Sequence, residues 1–402
     1  FLAREAATQL PSSTAAAACV AVFFCLTRLA GASVRGSMAA AIALGTATLL
    51  GAYAKYAFTE PLLALLATAA LWGLARGLAT GHISGFAAAS SLAGYAFLTK
   101  FTAGAFLILA LFVGYAAERR RAARMRELLA IVLPFSLAAL GYLTLNFERF
   151  GNPLEFGYPS TVEGGKDVLT FGTPLLVGLY GLLLSPGKGL LLFAPPLLAA
   201  LFGFRALLRA RPGLAWAALV HGAATLLFYA RYTHWEGGYC FGPRYLLPML
   251  PGLLLPLAGI LDRGGRRAAM LLAPLVLVGL VVTVVGVSTS FLEEQAVNPS
   301  PYYNERFEYR MDYSLAGQIA QLQEYGGRAL AGEVLPERLG LGLDFWFVFL
   351  GKAGFPRGAL LAWAGFGVLL MTMGAALARS AVRPSEPTGA SATGLGTGNR
   401  QE

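Results

Sequence analysis

Apolar residues run along this chain in long blocks, divided by short polar turns that carry Gly, Pro, Lys and Arg. The blocks lie at roughly 14–30, 37–54, 61–77, 83–99, 101–117, 128–146, 188–206, 213–230, 245–261, 268–290 and 357–378. A helix needs about 20 apolar residues to cross a hydrocarbon core, fewer where Pro or Gly breaks it. The pattern therefore predicts an all-α polytopic membrane protein with about 11 transmembrane helices. A shorter block at roughly 174–184 reads as interfacial or re-entrant.

Successive crossings put alternate turns on opposite sides, which makes orientation testable for consistency. One set of turns holds Arg28 and Arg35, Arg76, Glu118 with Arg119, Arg124 and Arg126, then Arg205, Arg209 and Arg211, Arg263, Arg266 and Arg267, and finally Arg379 and Arg383. The other holds Lys55, Lys100, the 147–187 and 231–244 loops and the polar 291–356 segment. Basic residues in short loops mark the cytoplasmic side. The expected protein is thus a multi-pass chain of the bacterial cytoplasmic membrane with its motif-bearing loops outside. The domains expected are a bundle over 1–290, an external lobe over 291–356 with an amphipathic helix near 314–330, a last helix over 357–379, and a disordered cytoplasmic tail over 380–402 rich in Pro, Ser, Thr and Gly. No internal repeat is evident.

Composition narrows the class. Of 402 residues 56% are hydrophobic and 13% charged, against about 25% charged in a soluble domain. The net charge of +10 comes from the orienting loops, so nucleic acid is not an expected partner. Cys19, Cys25 and Cys240 have no metal-ligand spacing and cannot build a disulfide framework. No metal and no cofactor are expected.

The chemistry concentrates in the outer turns. Arg231-Tyr-Thr-His-Trp235-Glu236-Gly-Gly-Tyr-Cys-Phe-Gly-Pro-Arg244-Tyr245 packs charges, aromatics and glycines against a membrane boundary. Ionisable groups there are costly and mark sites, and a fixed Arg can grip a phosphate through two donors. The plain alternative is an aromatic belt with a tight turn. Thr59-Glu60-Pro61 reads either as a capped helix start or as a carboxylate held beside Lys55 at the mouth of the bundle. Lys100 breaks an apolar hairpin, snorkelling to headgroups or facing an anionic ligand. Arg149-Phe-Gly-Asn-Pro-Leu-Glu-Phe-Gly-Tyr158 is turn chemistry. Ser185-Pro-Gly-Lys188-Gly189 offers a lysine and glycines at a helix start, suited to a lipid phosphate. His221 and His234 lack spaced partners, and Trp346 marks an interface.

Taken together, Tyr53-Ala-Lys-Tyr-Ala-Phe-Thr-Glu60-Pro-Leu62, the 149–158 run, Leu184-Ser-Pro-Gly-Lys-Gly189 and Trp235-x-Gly-Gly…Phe-Gly-Pro-Arg-Tyr245 resemble polyprenyl-phosphate-dependent glycosyltransferases of the C-type membrane fold. The nearest resemblance is to family 39-like proteins, kin to protein O-mannosyltransferases and lipid A aminoarabinose transferases. It covers roughly 14–262 and, loosely, 340–378. It implies transfer of a hexosyl or pentosyl group from a polyprenyl-phosphate donor to a hydroxyl of a lipid, glycan or protein. Glu60 matches the family's second acidic position. The first span here resembles the family's second helix, so the resemblance implies a twelfth helix and a loop with the principal acid upstream of Phe1. Lys55, Lys100, Lys188, Arg231, Trp235, Glu236, Arg244 and Tyr245 are the expected substrate-binding residues.

Two other classes fit the polytopic body. A transporter or flippase of a lipid-linked saccharide needs charges near the bilayer midplane, whereas this chain collects them on the loops. A non-catalytic scaffold leaves the density of Gly, Arg, Lys and Trp in the outer turns unexplained.

Overall fold

The computed structural model describes residues 2–119, 124–156, 171–238 and 240–288, together with position 319. Its helices are α1 (Leu2–Leu29), α2 (Val34–Thr46), α3 (Leu49–Tyr53), α4 (Glu60–Thr80), α5 (Ile83–Thr99), α6 (Phe101–Glu118), α7 (Met125–Phe150), α8 (Leu175–Leu184), α9 (Leu190–Phe193), α10 (Pro196–Ala210), α11 (Pro212–Arg231) and α12 (Leu250–Ser288). A 3-10 turn, Arg244–Met249, leads into α12, and no strand occurs among the described residues. The chain is an all-α polytopic membrane protein. Among the described residues six segments are long and apolar enough to cross a bilayer: Gln9–Leu29, Glu60–Thr80, Phe101–Glu118, Met125–Phe150, Pro212–Arg231 and Arg244–Val287. The expected lobe at 291–356, the helix near 314–330 apart from Ile319, the last helix at 357–379, the tail, Tyr158 and Trp346 lie outside the described residues.

Several expected spans are broken. The block at 37–54 divides into α2 and α3 at Ala47, and Thr48 caps α3 by accepting from the Leu50 N–H. The block at 188–206 divides into α9 and α10 at Ala194-Pro195, where proline removes a helix donor. Conversely α12 is continuous by hydrogen bonding yet reverses at Gly265, whose φ of 50° and ψ of −134° suit only glycine. The first limb starts beside Glu60, since Arg244 reaches it, and ends at Asp262, which accepts from the Ser33 N–H and hydroxyl. The second limb returns along α2 and α3, until Lys55 Nζ donates to Val287 O and Tyr56 OH to Gly286 O. The two expected spans at 245–261 and 268–290 are therefore antiparallel limbs.

Small residues let the helices close on one another. Gly73 and Gly77 on α4 face Gly85 and Phe86 on α5, where a Cβ on Gly73 would stand 2.9 Å from the Gly85 carbonyl. Cys19 Sγ lies 3.4 Å from Thr68 Oγ1 between α1 and α4, and Ser90 on α5 donates to Ile131 O of α7 at 2.5 Å.

The bundle has two chemically distinct ends. Ser12 bonds to Phe58 O, Thr102 meets Tyr229, and Lys188 meets Gly238, so the starts of α1, α4 and α6 share one end with the 231–249 segment. At the opposite end Glu118 accepts from the Gly213 N–H, Tyr115 meets Glu127, and Ser33 meets Asp262. The turns bearing Arg28, Arg35, Arg76, Arg119, Arg124, Arg126, Arg209, Arg211, Arg263, Arg266 and Arg267 gather at this arginine end. Both ends of α8 stay at the Glu60 end, with Thr173 bonding Tyr232 O and Lys188 bonding Cys240 O. Its re-entrant reading agrees with that placement.

Candidate functional site

Glu60 opens α4 and is 2% exposed. Thr59 makes no side-chain cap bond and is itself already helical, so this helix start is not explained by a hydroxyl cap. Lys100 is the single extended residue between α5 and α6, serving as the end of one and the start of the next. That break aims its ammonium inward, 3.7 Å from Glu60 Oε1. Arg244 begins the 3-10 turn and brings Nε to 3.9 Å from the same oxygen. Three elements far apart in sequence thus converge on one carboxylate oxygen.

Aromatic rings hold the two cations. Lys100 Nζ sits 4.3 Å above Tyr245 and 5.5 Å above Tyr229, while the Arg244 guanidinium lies 5.0 Å from Phe58 and 5.1 Å from Tyr245. Tyr229 and Tyr245 stack at 4.3 Å and 14° between planes. Tyr229 is fixed by a 3.0 Å bond between its hydroxyl and Thr102. Both ion contacts exceed the 2.7–2.9 Å of a charge-assisted hydrogen bond. Glu60 Oε2 and Arg244 Nε have no hydrogen-bond partner among the described residues. Buried groups of this kind hold unspent bonding capacity, which costs stability and gives a polar ligand something to satisfy. A cavity of about 10 Å³ adjoins them, lined by Glu60, Lys100, Thr102, His221, Thr225 and Tyr245 among others. That is room for about one water, far below the roughly 300–1,000 Å³ of a ligand pocket. The described form is closed.

The other expected binding residues fall elsewhere at the same end. Lys188 is 5% exposed, and its ammonium donates to Gly238 O at 3.1 Å and Cys240 O at 2.7 Å, with Cys240 Sγ at 3.2 Å. Instead of opening a phosphate cradle, the lysine ties the 185–189 turn to the 238–240 turn. Gly237 and Gly238, at φ of 79° and 68°, make that second turn tight enough to present both carbonyls. Trp235 is buried and packs over Gly181 of α8, anchoring the loop from below. Tyr53 donates to Phe241 O at 2.8 Å and fastens the loop to α3. Lys55 is committed to Val287 O, and Arg231 Nη2 reaches Phe171 O at 3.4 Å. Glu236 lies 3.6 Å from His234 Nδ1, and its carboxylate raises the His234 pKa above the ordinary value against the opposing effect of burial.

Sequence reasoning named Glu60, Lys100, Arg244 and Tyr245 but missed Tyr229, Thr102 and Thr225, which complete the walls. Tyr229 closes an apolar span, where an aromatic reads as interface or core. Thr225 precedes Tyr229 by four residues, which puts both on one helix face, but Thr102 is only two residues from Lys100, a spacing that signals nothing. Among the described residues no group of His, Cys, Asp and Glu could hold a metal.

No protein-family model matches the chain, and neither does any curated protein. Among solved structures it is similar to ArnT from Cupriavidus metallidurans, crystallised bound to undecaprenyl phosphate. The two share 15% identity over 82% of this chain and 67% of that one, with a TM-score of 0.49.

Proposed function

We propose that this chain transfers a sugar from a polyprenyl-phosphate-linked donor to an acceptor hydroxyl at the Glu60 end of the bundle. The observation that carries the reading is the buried Glu60 carboxylate held by Lys100 and Arg244 beneath stacked tyrosines. In the reaction the bond from the sugar's anomeric carbon to the phosphate oxygen breaks, and one to the acceptor oxygen forms. Negative charge then grows on the departing phosphate, and fixed cations in a dry site stabilise it far more than water would. Lys100 and Arg244 supply those cations. Glu60 faces both through Oε1, leaving Oε2 to accept the acceptor's hydroxyl and orient it. The proton of that hydroxyl passes to Glu60 Oε2 as the new bond forms. The donor separates the Arg244–Tyr245 turn from Lys100 as it binds, because the closed cavity holds no sugar.

Charge placement supports an enzyme over a carrier. Among the described residues the Asp, Glu, Lys and Arg positions fall in loops, within the outermost two turns of helices or at breaks within them, whereas a transport path needs them near the midplane. By the positive-inside rule the arginine end is cytoplasmic, which puts the Glu60 end on the outer face of the bacterial cytoplasmic membrane. The motif resemblance adds the polyprenyl phosphate.

The test is a panel of radiolabelled polyprenyl-phosphate sugars given to the full protein in proteoliposomes. Wild type releases sugar from one donor, and Arg244→Ala lowers that turnover by about 100–1,000-fold at unchanged expression. Full turnover by Arg244→Ala would remove the leaving-phosphate role. Flipping of a donor by wild type without its consumption would establish the carrier instead.

A further inference from the structure

A second concavity lies at the arginine end, away from the Glu60 cluster. It is an open groove of about 660 Å³ between the first turns of α5 and α7, lined mainly by Ile83, Ala87, Leu129 and Leu133, with His82 and Arg126 at the helix starts. Ser90 explains where it stops. Its hydroxyl donates to Ile131 O and accepts from the Phe135 N–H at 3.1 Å, next to Pro134, which has no N–H of its own. That tie pins the helices together, and the groove occupies the stretch between the tie and the helix starts.

The surroundings say what fits. α7 is a strongly apolar span of which only 6% is buried within the protein, so most of its surface belongs to lipid. Ile83, Leu129 and Leu133 are exposed along the groove. Around the helix starts, Arg119 and Arg124 bracket the buried Glu127 at 3.5 and 3.8 Å, and the Glu118 carboxylate is engaged by the Gly213 N–H. Arg126 is exposed and forms no ion pair among the described residues. Three arginines against Glu118 and Glu127 leave the groove's end positive.

We infer that this groove seats an acyl chain of an anionic phospholipid, whose phosphate lies against Arg126. A narrow apolar trough ending in cations at the depth where arginines reach headgroups matches the two halves of such a lipid. A helix of a second copy is about 10 Å across, and its apolar face would strip water from Arg126 without pairing it. The phosphodiester supplies the missing charge, and the trough takes the chain. This site is independent of the transferase reading.

Native mass spectrometry of the delipidated full-length protein, titrated with phosphatidylglycerol or phosphatidylcholine, tests it. Wild type retains phosphatidylglycerol about fivefold more tightly than phosphatidylcholine, the factor expected from one basic residue at the surface. Arg126→Glu abolishes the preference, and Ala87→Phe, which fills the trough, lowers retention of both lipids. Thermal unfolding checks that each variant is folded, with Ala87→Leu as the milder replacement if Ala87→Phe is not. Equal retention of phosphatidylglycerol by wild type and Arg126→Glu overturns the proposal. So does loss of a dimer with lipid retention unchanged in Ala87→Phe, which would give the groove to a second copy.

Discussion

Among the described residues two glutamates are buried, one at each end of the bundle, and each faces two cations. Glu60 lies between Lys100 and Arg244, and Glu127 between Arg119 and Arg124. Charge arithmetic alone would make them equivalent. Glu127 draws its partners from the segment immediately before it, accepts a 3.0 Å hydrogen bond from Tyr115 and is fully buried. Its Tyr115 also receives the Arg124 backbone N–H, so the cluster locks the α6–α7 turn. Glu60 draws its two partners from two separate elements and borders a cavity, while each carboxylate leaves one oxygen, Glu60 Oε2 or Glu127 Oε1, without a hydrogen bond among the described residues. The same ionic motif serves as a latch where its partners are local and a tyrosine hydroxyl donates to it. Where they converge from afar beside a cavity, it has the features of a site.

Substitution should separate the two roles. The largest effect is expected from Glu60→Gln, which on the proposed reading cuts turnover per folded molecule by about 100–1,000-fold. Glu127→Gln should leave that turnover almost untouched. Removing one partner of a buried ion cluster costs about 3–5 kcal/mol, seen as a lower denaturation midpoint, while turnover per folded molecule stays within about twofold. If Glu127→Gln silences the folded enzyme, the contrast between latch and site fails. Lys188→Met sharpens the comparison at the Glu60 end. Each carbonyl left bare costs about 1–3 kcal/mol, so the 231–244 loop should become protease-sensitive without loss of donor affinity. A drop in affinity at intact stability would return Lys188 to the binding set.

The smallest expected effect is in pH. His234 has a raised pKa through Glu236. Its folded-state value exceeds its unfolded one, so the contact contributes fully below the ordinary histidine range and is lost as pH rises through the raised value. Cleavage of the 231–244 loop by a protease should therefore quicken across that upper window in wild type and show no such step in His234→Asn. A step of equal size in both would assign the pH response to another group.

Much of this was legible in the chain, for identifiable reasons. Hydrophobic blocks of membrane length locate the spans, and Gly264-Gly265 beside Arg263, Arg266 and Arg267 separates the limbs of α12, although helix hydrogen bonding runs through the break. The interruptions at Ala47 and Ala194 were harder, since Ala-Thr and Ala-Pro-Pro inside an apolar block leave its hydropathy unchanged. Site residues were nameable because charges at a membrane boundary are expensive. Their partners were not, because a sequence does not say whether a lysine such as Lys188 faces a ligand or its own backbone. Glu127 went unnoticed for the same reason, being hidden in a run of arginines that reads as a solvated loop.

The reversal at Gly265 governs more than packing. Without it, the 39 residues of α12 would form a rod of about 58 Å at 1.5 Å per residue, nearly twice the thickness of a hydrocarbon core. That one backbone conformation brings Gly286 and Val287 back to the end of the bundle from which the helix set out. Gly265→Val would be expected to deliver the following segment to the opposite compartment, which a reporter fused after residue 288 would register as a switch of side.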